Sequence, residues 1–372
     1  MFHRVFETRK VWLSGHTGFK GSWLASWLLE LGADVHGFAL VPSTNPSLFD
    51  QLGLQGRMRH EIGDIRDADA VAKSIQTASP DFVFHLAAQP LVRLSYQEPV
   101  PTFATNVMGT VHVLEALRAR SQPCAAIFVT TDKCYHNREW LYAYREEDRL
   151  GGHDPYSSSK AAAEIAIAAY RKSFFGSDGN TKVRIASARA GNVIGGGDWA
   201  LDRIVPDAVR ALTRNEQIPV RNKQATRPWQ HVLEPLSGYL GLAALLADSS
   251  LRSGTGVADL ADAFNFGPDL SSNRTVEELI EQVLKHWPGN WADRHDPKAV
   301  HEAGLLNLST DKAHHLLGWR AVWNFEETVA ETVRWYKEVV SGGNPADLAV
   351  AQIQAYSERA RTLGVEWAAR CS

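Results

Sequence analysis

Tyr156 and Lys160 are four residues apart in a stretch whose alanine-rich composition predicts a helix. That spacing places both side chains on one helix face. A lysine ammonium beside a phenol lowers the phenol pKa, normally near ~10, so that the phenolate can accept a proton at neutral pH. The same pair also arises by chance. It therefore indicates oxidation of a hydroxyl-bearing carbon only if the chain also has a cofactor site.

A glycine-rich turn between the first predicted strand and the first predicted helix could provide that site. Its glycines follow the spacing G-x-x-G-x-x-G from residue 15 to residue 21. Glycines at such a turn let the backbone approach a pyrophosphate, and the helix N-terminus offers unpaired N–H donors. A purely structural turn would have the same composition, but the strand–turn–helix context favours a dinucleotide. The predicted contacts are Gly15, Gly18, Phe19 and Gly21.

The other end of the dinucleotide is less well defined by the sequence. Residues 37–41, at the end of the second predicted strand, read Gly-Phe-Ala-Leu-Val. They lack the acidic residue that often holds the ribose hydroxyls, so both NAD and NADP stay open. Asp64 and Ile65 follow the third predicted strand, and we expect them to lie at the adenine. A solvated turn aspartate would explain Asp64 equally well.

Composition excludes several classes of protein. Charged residues make up 22% of the 372 residues and the net charge is −3, so no strong field favours nucleic acid or a membrane surface. No apolar run reaches the ~20 residues of a membrane span, and no signal region precedes the first strand, so we expect a cytoplasmic protein. Cys124, Cys134 and Cys371 are too few and too scattered for a disulfide framework or a metal site. We expect no bound metal and interpret Cys134 as a packing residue.

The first half of the chain alternates between strand-like and helix-like patterns. Strands are predicted near residues 11–13 and 35–41, directly before Gly63 as the third strand, and near 82–87, 126–130 and 183–188. Helices are predicted at 19–31, 106–118 and 158–173. Near-continuous apolar strands separated by helices indicate a parallel sheet that is covered on both faces. The predicted fold is an α/β Rossmann-type doubly wound parallel sheet with a smaller, mixed C-terminal substrate-binding lobe.

The second half is less regular. Short helices are predicted at 204–213 and 236–246, and a strand at 263–266. Thr275 with Glu278, and Asn324 with Glu327, have the spacing of capping boxes for two further helices. The predicted dinucleotide-binding domain is 1–190, with 229–265 returning to it. The predicted nucleotide-sugar lobe is 191–228 and 266–345, and 346–372 is a helical tail without an assigned role.

With these motifs in place, the chain resembles the extended short-chain dehydrogenase/reductase family from Val11 to about Lys337. Leu86-Ala87-Ala88-Gln89 is similar to the family's loop after the fourth strand, and Asn106 to its mid-helix asparagine. The resemblance implies NAD-type chemistry and a homodimer formed through helices 106–118 and 158–173. Ala161, Ala162, Ala166 and Ala169 would allow close helix packing in that dimer. The implied cofactor contacts are Leu86, Ala87, Ala88, Asn106, Tyr156 and Lys160.

The fifth predicted strand ends in Thr131-Asp132-Lys133, and this triplet resembles the one that 4,6-dehydratases carry at this position. Oxidation of a sugar's 4-hydroxyl acidifies the proton on carbon 5. A base must remove that proton, and an acid must protonate the hydroxyl that leaves carbon 6. We assign Tyr156 as the base for the 4-hydroxyl, with Thr131 hydrogen-bonded to the same oxygen. Lys133 is the candidate carbon 5 base and Asp132 the acid, although a strand-end ion pair would also explain these two residues.

Several longer segments resemble the CDP-glucose 4,6-dehydratases in particular. They are residues 46–49, 88–93, 105–110, 132–135, 190–199 and 227–232. This resemblance implies NAD as cofactor and CDP-glucose as substrate, and the choice of cytosine rests on it alone. The implied substrate-binding residues are Gln89, Arg93, Asn192, Gly197, Asp198, Arg203, Arg227 and His231. Arginines can clamp a pyrophosphate bidentately, whereas Trp199 and Trp229 are better explained as core filling.

Three other functions remain open. An inverting UDP-N-acetylglucosamine 4,6-dehydratase also carries the Thr-Asp-Lys triplet. A sugar-nucleotide epimerase or decarboxylase is disfavoured by Asp132-Lys133. A non-catalytic nucleotide-binding protein is disfavoured because Tyr156 and Lys160 are both present.

Overall fold

The computed structural model describes residues 1–175, 182–251, 259–295 and 304–369. Cys371 and the end of the helical tail lie outside the described residues. The strands are β1 (Lys10–Ser14), β2 (Asp34–Ala39), β3 (Arg59–Ile62), β4 (Phe82–His85), β5 (Cys124–Val129), β6 (Val183–Ala190), β7 (Val193–Ile194), β8 (Ile218–Val220), β9 (Thr226–Pro228), β10 (Gln230–His231), β11 (Ala263–Phe266), β12 (Asn273–Thr275) and β13 (Trp291–Asp293).

The α-helices are α1 (Phe19–Glu30), α2 (Leu48–Gln51), α3 (Ala68–Ala78), α4 (Val92–Gln97), α5 (Pro99–Phe103), α6 (Gly109–Arg118), α7 (Pro155–Phe174), α8 (Ile204–Thr213), α9 (Leu233–Ala247), α10 (Val276–His286), α11 (Asp311–Leu317), α12 (Phe325–Val340) and α13 (Pro345–Thr362). None of these helices is long and apolar enough to cross a membrane.

Seven strands form one parallel sheet in the order β11-β6-β5-β4-β1-β2-β3. Alternate residues of β1 enter different cores, because Val11 and Leu13 pack into one apolar cluster and Trp12 into another. The inner strands β1, β4 and β5 are therefore buried on both faces, which explains their near-continuous apolar runs, whereas the edge strand β3 is only partly buried. The Rossmann-type doubly wound fold is confirmed.

The predicted helix at 106–118 begins earlier than expected and is irregular. It starts as α5, passes through a π-helical turn at Ala104–Met108, and continues as α6. Asn106 lies in that turn, where its side-chain Nδ2 donates to the carbonyl of Gln89 at 3.1 Å and to Ser159 Oγ at 2.9 Å. Hydrophobic periodicity does not reveal a single π-turn, since such turns depend on tertiary contacts.

The second half builds a smaller lobe at the carboxyl edge of the sheet. Short strand pairs β7–β10, β9–β12 and β8–β13 surround helices α8, α10 and α12. Both predicted capping boxes are present, at Thr275 with Glu278 and at Asn324 with Glu327. By contrast, β11 joins the main sheet and α9 packs on β5 and β6.

The C-terminal tail packs on the first helix. Helix α13 contacts α1 and α12, and the Tyr356 ring lies 5.8 Å from that of Trp27. Beyond α13, Trp367 stacks on Phe2 with ring centroids 4.8 Å apart. The tail therefore completes the core on one face of the sheet.

Candidate active site

The carboxyl end of β5 carries the predicted acid. Thr131 Oγ1 donates to Asp132 Oδ1 at 3.0 Å, and the Lys133 N–H donates to Thr131 Oγ1 at 3.3 Å. Asp132 is 2% exposed, and its Oδ2 has no hydrogen-bond partner among the described residues. Burial raises the Asp132 pKa, although Lys133, Thr131 and Arg227 oppose that rise. A carboxyl group in this environment is suited to hold and donate a proton.

Helix α7 places the predicted base beside this carboxyl group. Asp154 caps the helix by accepting from the Ser157 N–H at 2.9 Å, and Tyr156 lies in the first turn. The Tyr156 N–H donates to Ser95 Oγ at 3.1 Å. Burial raises the pKa of the Tyr156 phenol to about 12, and its interaction with the Thr131 side chain opposes part of the increase.

This outcome differs from the predicted lowering of the phenol pKa by Lys160. The Lys160 Nζ donates to the carbonyl of Val129 at 3.3 Å, and burial outweighs any charge effect at Tyr156. Burial also lowers the pKa of Lys160 to about 8, while the charge of Glu164 raises it. Both groups are therefore shifted towards their neutral forms.

The glycine turn has the geometry of a phosphate-binding loop. A Cβ atom at Gly15, where φ is +77°, would lie 2.8 Å from the Ala87 nitrogen. A Cβ atom at Gly21 would lie 2.1 Å from the Gly15 carbonyl oxygen, whereas at Gly18 the nearest atom is 3.4 Å away. Gly18 precedes Phe19, the first residue of α1, without a side-chain cap. The turn therefore presents backbone N–H groups to an anion and fits a dinucleotide pyrophosphate.

At the predicted adenine end, Asp64 is paired within its own turn. Arg66 donates to Asp64 Oδ2 at 2.5 Å and lowers the Asp64 pKa, so this carboxylate already has a partner. Ile65 is buried beside α6. Leu40 and Val41, after β2, are 56% and 64% exposed.

The loop after β4 is anchored to the phosphate loop. The N–H groups of Leu86 and Ala87 both donate to Ser14 Oγ at 3.1 Å, and Ala88 follows them half-buried. The Gln89 N–H donates to Asn106 Oδ1 at 2.8 Å. This loop, the π-turn and α7 thus form one hydrogen-bonded wall.

The loop at 198–203 approaches the phenol from the smaller lobe through Arg203. Arg203 Nη1 donates to the buried Asp198 at 2.8 Å, and its charge reaches Tyr156, where it lowers the phenol pKa. Arg93 lies 3.9 Å from Asp202, in the same loop as Arg203. Arg93, Asp198 and Arg203 thus lie close together, and their role as substrate contacts stays a prediction.

Arg227 also approaches the site. It is 7% exposed, donates to the Thr226 carbonyl at 2.9 Å, and its charge acts on Asp132. Asn192 is half-buried directly after β6, and its carbonyl accepts from the Gln230 N–H at 3.3 Å. Gly197 has φ of +80°, and a Cβ atom there would lie 2.3 Å from Leu48.

Some predicted residues are not brought to the cleft. His231 is fully buried, with its ring 4.8 Å from that of Trp323, and burial lowers its pKa to about 3. Its assignment as a substrate contact is corrected, because its ring packs against Trp23 and Trp323 in the core. The Gln89 side chain already has partners, since it donates to Thr102 Oγ1 on α5 at 2.9 Å and accepts from the Leu91 N–H.

The tryptophans and Cys134 serve packing, as expected. Trp229 is 3% exposed and donates to the Arg274 carbonyl, while Trp199 donates to Gln51 Oε1 at 2.8 Å. Cys134 is fully buried, which raises its thiol pKa. Among the described residues no group of three His, Cys, Asp or Glu side chains could hold a metal ion.

Lys20 is a site residue that the sequence analysis missed. Burial lowers the pKa of its ammonium to about 8, and the charges of Asp132, Arg203 and Lys160 all act on it. A cation in the first turn of a helix is disfavoured by the helix dipole. That unfavourable position was the available signal that Lys20 serves another group.

Comparison with known proteins identifies the family. The family model described as GDP-mannose 4,6 dehydratase matches residues 13–332 of this 372-residue chain. The chain belongs to this family. Among its relatives is the CDP-glucose 4,6-dehydratase of Salmonella typhimurium, which is 45% identical over 91% of this chain and 93% of that protein. The human dTDP-D-glucose 4,6-dehydratase is 26% identical, covering 74% of each chain.

Solved structures of lower identity share the fold. A dTDP-glucose 4,6-dehydratase from Streptomyces venezuelae, with NAD and DAU bound, has a TM-score of 0.75 at 22% identity and covers 90% of this chain and 99% of its own. The UDP-glucose 4-epimerase of Thermotoga maritima has a TM-score of 0.74 at 20% identity and covers 89% and 99%. Dehydratases and epimerases share this fold, so the chemistry must be argued from the site.

Proposed function

We propose that this protein is a sugar-nucleotide 4,6-dehydratase that converts CDP-D-glucose to CDP-4-dehydro-6-deoxy-D-glucose and water. The 45% identity to a CDP-glucose 4,6-dehydratase over 91% of the chain supports the substrate. The site supports the reaction class, because it holds an acid and two candidate bases beside one cleft. An epimerase needs no acid for a leaving hydroxyl.

One observation carries the reaction class: the buried Asp132 carboxyl and the Tyr156 phenol both interact with the Thr131 side chain. Thr131 thus joins an acid with a raised pKa to a phenol at the end of one strand. Elimination of water needs these two functions within reach of one sugar ring.

NAD is the proposed cofactor, and the glycine turn fits its pyrophosphate. The proposed contacts are Gly15, Gly18, Phe19, Gly21, Asp64, Ile65, Leu86, Ala87, Ala88, Asn106, Tyr156 and Lys160. Bound there, NAD would supply a hydride acceptor for carbon 4 and, once reduced, a hydride donor for carbon 6. Asp64 would keep its Arg66 partner, and so would meet the cofactor as part of an ion pair.

Tyr156 would take the proton of the 4-hydroxyl, with Thr131 hydrogen-bonded to the same oxygen. The Tyr156 pKa of about 12 means that the phenolate is scarce until substrate and cofactor bring further charges to it. Lys160 and Arg203 are the cations proposed to stabilise the phenolate, since the charge of Arg203 already lowers the phenol pKa. The first proposed step, removal of the 4-hydroxyl proton, therefore takes place at Tyr156 on α7.

Asp132 and Lys133 would complete the elimination. Lys133 removes the proton on carbon 5, and Asp132 gives its proton to the 6-hydroxyl, which leaves as water. The raised pKa of Asp132 supports the acid role, because a protonated carboxyl is needed for that step. Return of that proton from Lys133 to carbon 5 at the end restores Lys133. Asp132 is left as a carboxylate and Tyr156 as a phenol, and transfer of one proton from Tyr156 to Asp132, whose side chains both interact with Thr131, restores these two residues.

The substrate diphosphate and ribose would lie between the main sheet and the smaller lobe. Arg227, Arg203, Asp198, Arg93, Asn192 and Gly197 are the proposed contacts. We divide the chain as predicted from sequence: 1–190 with 229–265 for the cofactor, 191–228 with 266–345 for the nucleotide sugar, and 346–372 as the tail. The position of β11 in the main sheet supports the return of 229–265.

The proposed assembly is a homodimer through α5, α6 and α7. Val100, Phe103 and Ile165 are 77%, 39% and 58% exposed on these helices, and a second copy would bury them. Ala161 is not part of this surface, since it is 4% exposed and packs inward beside Cys134. A light-scattering mass of twice 41.1 kDa is expected, and a mass near 41.1 kDa would contradict the dimer. The cytoplasm, which contains NAD and nucleotide sugars, is the proposed location.

Incubation with CDP-D-glucose, with and without added NAD, tests the function. The expected product has lost one water and carries a keto group, as detected by mass spectrometry. Parallel incubations with UDP-N-acetylglucosamine, dTDP-glucose and GDP-mannose test the base and sugar. A product formed only from one of those substrates would overturn the CDP assignment, and an isomer of unchanged mass would overturn dehydration.

A further inference from the structure

Glu164 is a buried carboxylate at the back of the site, one helical turn after Lys160 on the same face of α7. It is 2% exposed and accepts from three side chains on two strands. Thr130 Oγ1 donates at 2.5 Å, Ser187 Oγ at 2.8 Å and Arg189 Nη2 at 2.8 Å. A single carboxylate therefore ties the helix that carries Tyr156 to β5 and β6.

This carboxylate is charged. Burial by itself would raise the Glu164 pKa, but Arg189 and the hydroxyls of Thr130 and Ser187 outweigh burial and lower it. The ion pair with Arg189 is deeply buried, with side chains 4% and 2% exposed. Burying such a pair costs desolvation energy, so the presence of the pair is weak evidence that it stabilises the fold.

Lys160 is surrounded by groups from several elements. Glu164 on its own helix and Cys134 after β5 raise its pKa. Lys20 on α1 and His85 on β4 also interact with its charge, and burial lowers the His85 pKa to about 3, so that His85 is neutral. Among the described residues, Glu164 is the charged group that raises the Lys160 pKa most.

The contacts of Glu164 also extend to the segment that carries the proposed acid, Asp132. Thr130, which it holds, directly precedes Thr131, and the Thr130 N–H donates to the Ala188 carbonyl at 2.9 Å. On the other side, Arg189 Nη1 donates to the Tyr135 hydroxyl at 2.8 Å, and Tyr135 donates to Asn265 on β11 at 2.7 Å. The segment from 130 to 135 is thus held at both ends by one buried network.

We propose that Glu164 is a positioning residue for the dehydration: it holds the end of β5 against α7, and it lies one helical turn from Lys160 on the same face of α7. This inference rests on the proposed function for the reaction, but its effect on Lys160 does not. In Glu164→Gln the side-chain shape is kept while the charge is lost. Lys160 then loses its proton at lower pH, and the alkaline limb of the kcat profile moves to lower pH by about one unit or more.

Two matched variants separate charge from structural damage. Arg189→Lys keeps a cation beside Glu164, and therefore the Glu164 charge, but loses the planar guanidinium that makes several hydrogen bonds, so the alkaline limb should not move to lower pH. Glu164→Gln/Arg189→Met removes both charges and avoids an unpaired buried arginine, which protects the fold. The alkaline limb of the kcat profile should lie at the same lower pH in the double variant as in Glu164→Gln. Thr130→Val removes one contact without a change of charge, and should lower kcat without moving the limb.

Nitrogen-15 NMR of the lysine side chains gives a readout that does not depend on activity. The Lys160 resonance, assigned with Lys160→Met, should titrate at lower pH in the double variant than in the wild type. An unchanged Lys160 titration and an unchanged kcat profile in the double variant would overturn the role of Glu164. If the titration moves while the wild type dehydrates no nucleotide sugar, the proposed function fails and the Glu164–Lys160 coupling stands.

Discussion

The Oδ2 atom of Asp132 lies 2.9 Å from the position that a Cβ atom would take at Gly191. The same Cβ atom would lie 3.2 Å from Pro228 Cγ, so that neither side offers room. Because Asp132 is buried, its carboxyl can move only by giving up its contact with Thr131. The end of β6 therefore determines where the proposed acid points.

Gly191→Ala should displace the Asp132 carboxyl and lower kcat by about a hundredfold, as expected for a misplaced catalytic group. Binding of NAD should be unaffected, since the nearest atoms to a Cβ atom at Gly191 belong to Asp132 and Pro228 and not to the proposed NAD contacts. Gly56→Ala is the matched control, because nothing lies within 4 Å of a Cβ atom at Gly56. Steady-state kinetics of the two variants check the prediction, and equal kcat values would contradict it.

Lys133→Met should remove the proposed carbon 5 base and lower turnover by about 10²- to 10⁴-fold. Uptake of solvent deuterium at carbon 5 should disappear, while NAD affinity stays that of the wild type. The exposed Lys172, on the far end of α7, provides the control variant Lys172→Met. Normal deuterium uptake in Lys133→Met would remove this residue from the mechanism.

Substitutions in the glycine turn should have two distinct effects. A Cβ atom at Gly21 would overlap the Gly15 carbonyl at 2.1 Å, so Gly21→Ala should destabilise the fold by about 1–3 kcal/mol. Gly18→Ala meets its nearest atom at 3.4 Å and should fold normally, but its methyl group should weaken NAD binding. Thermal unfolding and cofactor titration separate the two effects. Loss of stability in Gly18→Ala alone would refute this account of the turn.

Glu234 should make stability fall as pH rises. Burial raises its pKa from 4.5 to about 7, although the N–H groups of Trp323 and Val322 and the hydroxyl of Tyr356 donate to it. The folded state thus binds its proton more tightly than the unfolded state. The resulting stabilisation is full below pH 4.5 and is lost as pH rises through about 7. By this linkage the loss amounts to about 3 kcal/mol.

Glu234→Gln should remove this part of the pH dependence. Denaturant unfolding at several pH values between 4.5 and 7 measures it, with Glu326→Gln as the exposed control on α12. If the unfolding free energy of Glu234→Gln depends on pH as strongly as that of the wild type, another group is responsible for the pH dependence. The contacts of Glu234 join α9 to α13, so the experiment also tests how strongly the C-terminal tail is held.

Local patterns predicted most of the fold. Apolar runs located six of the seven main-sheet strands but not β3, which reads Arg-His-Glu-Ile. The spacing of Thr275 with Glu278 located the start of α10. The helix at 204–213 and the strand at 263–266 have the predicted bounds. These features depend on residues close in sequence, since capping and burial on both faces of a strand leave short-range signatures. The π-turn at Ala104–Met108 left none.

The amino-acid sequence by itself determined the Rossmann-type fold, the glycine turn and the Thr131-Asp132-Lys133 triplet, because each is written in neighbouring residues. Only the tertiary structure decided that His231 lies in the core and that Glu164 accepts from Thr130, Ser187 and Arg189. The pKa values of Tyr156 and Asp132 were likewise decided by burial. Burial and charge contacts depend on distant segments of the chain, and residue spacing does not encode them.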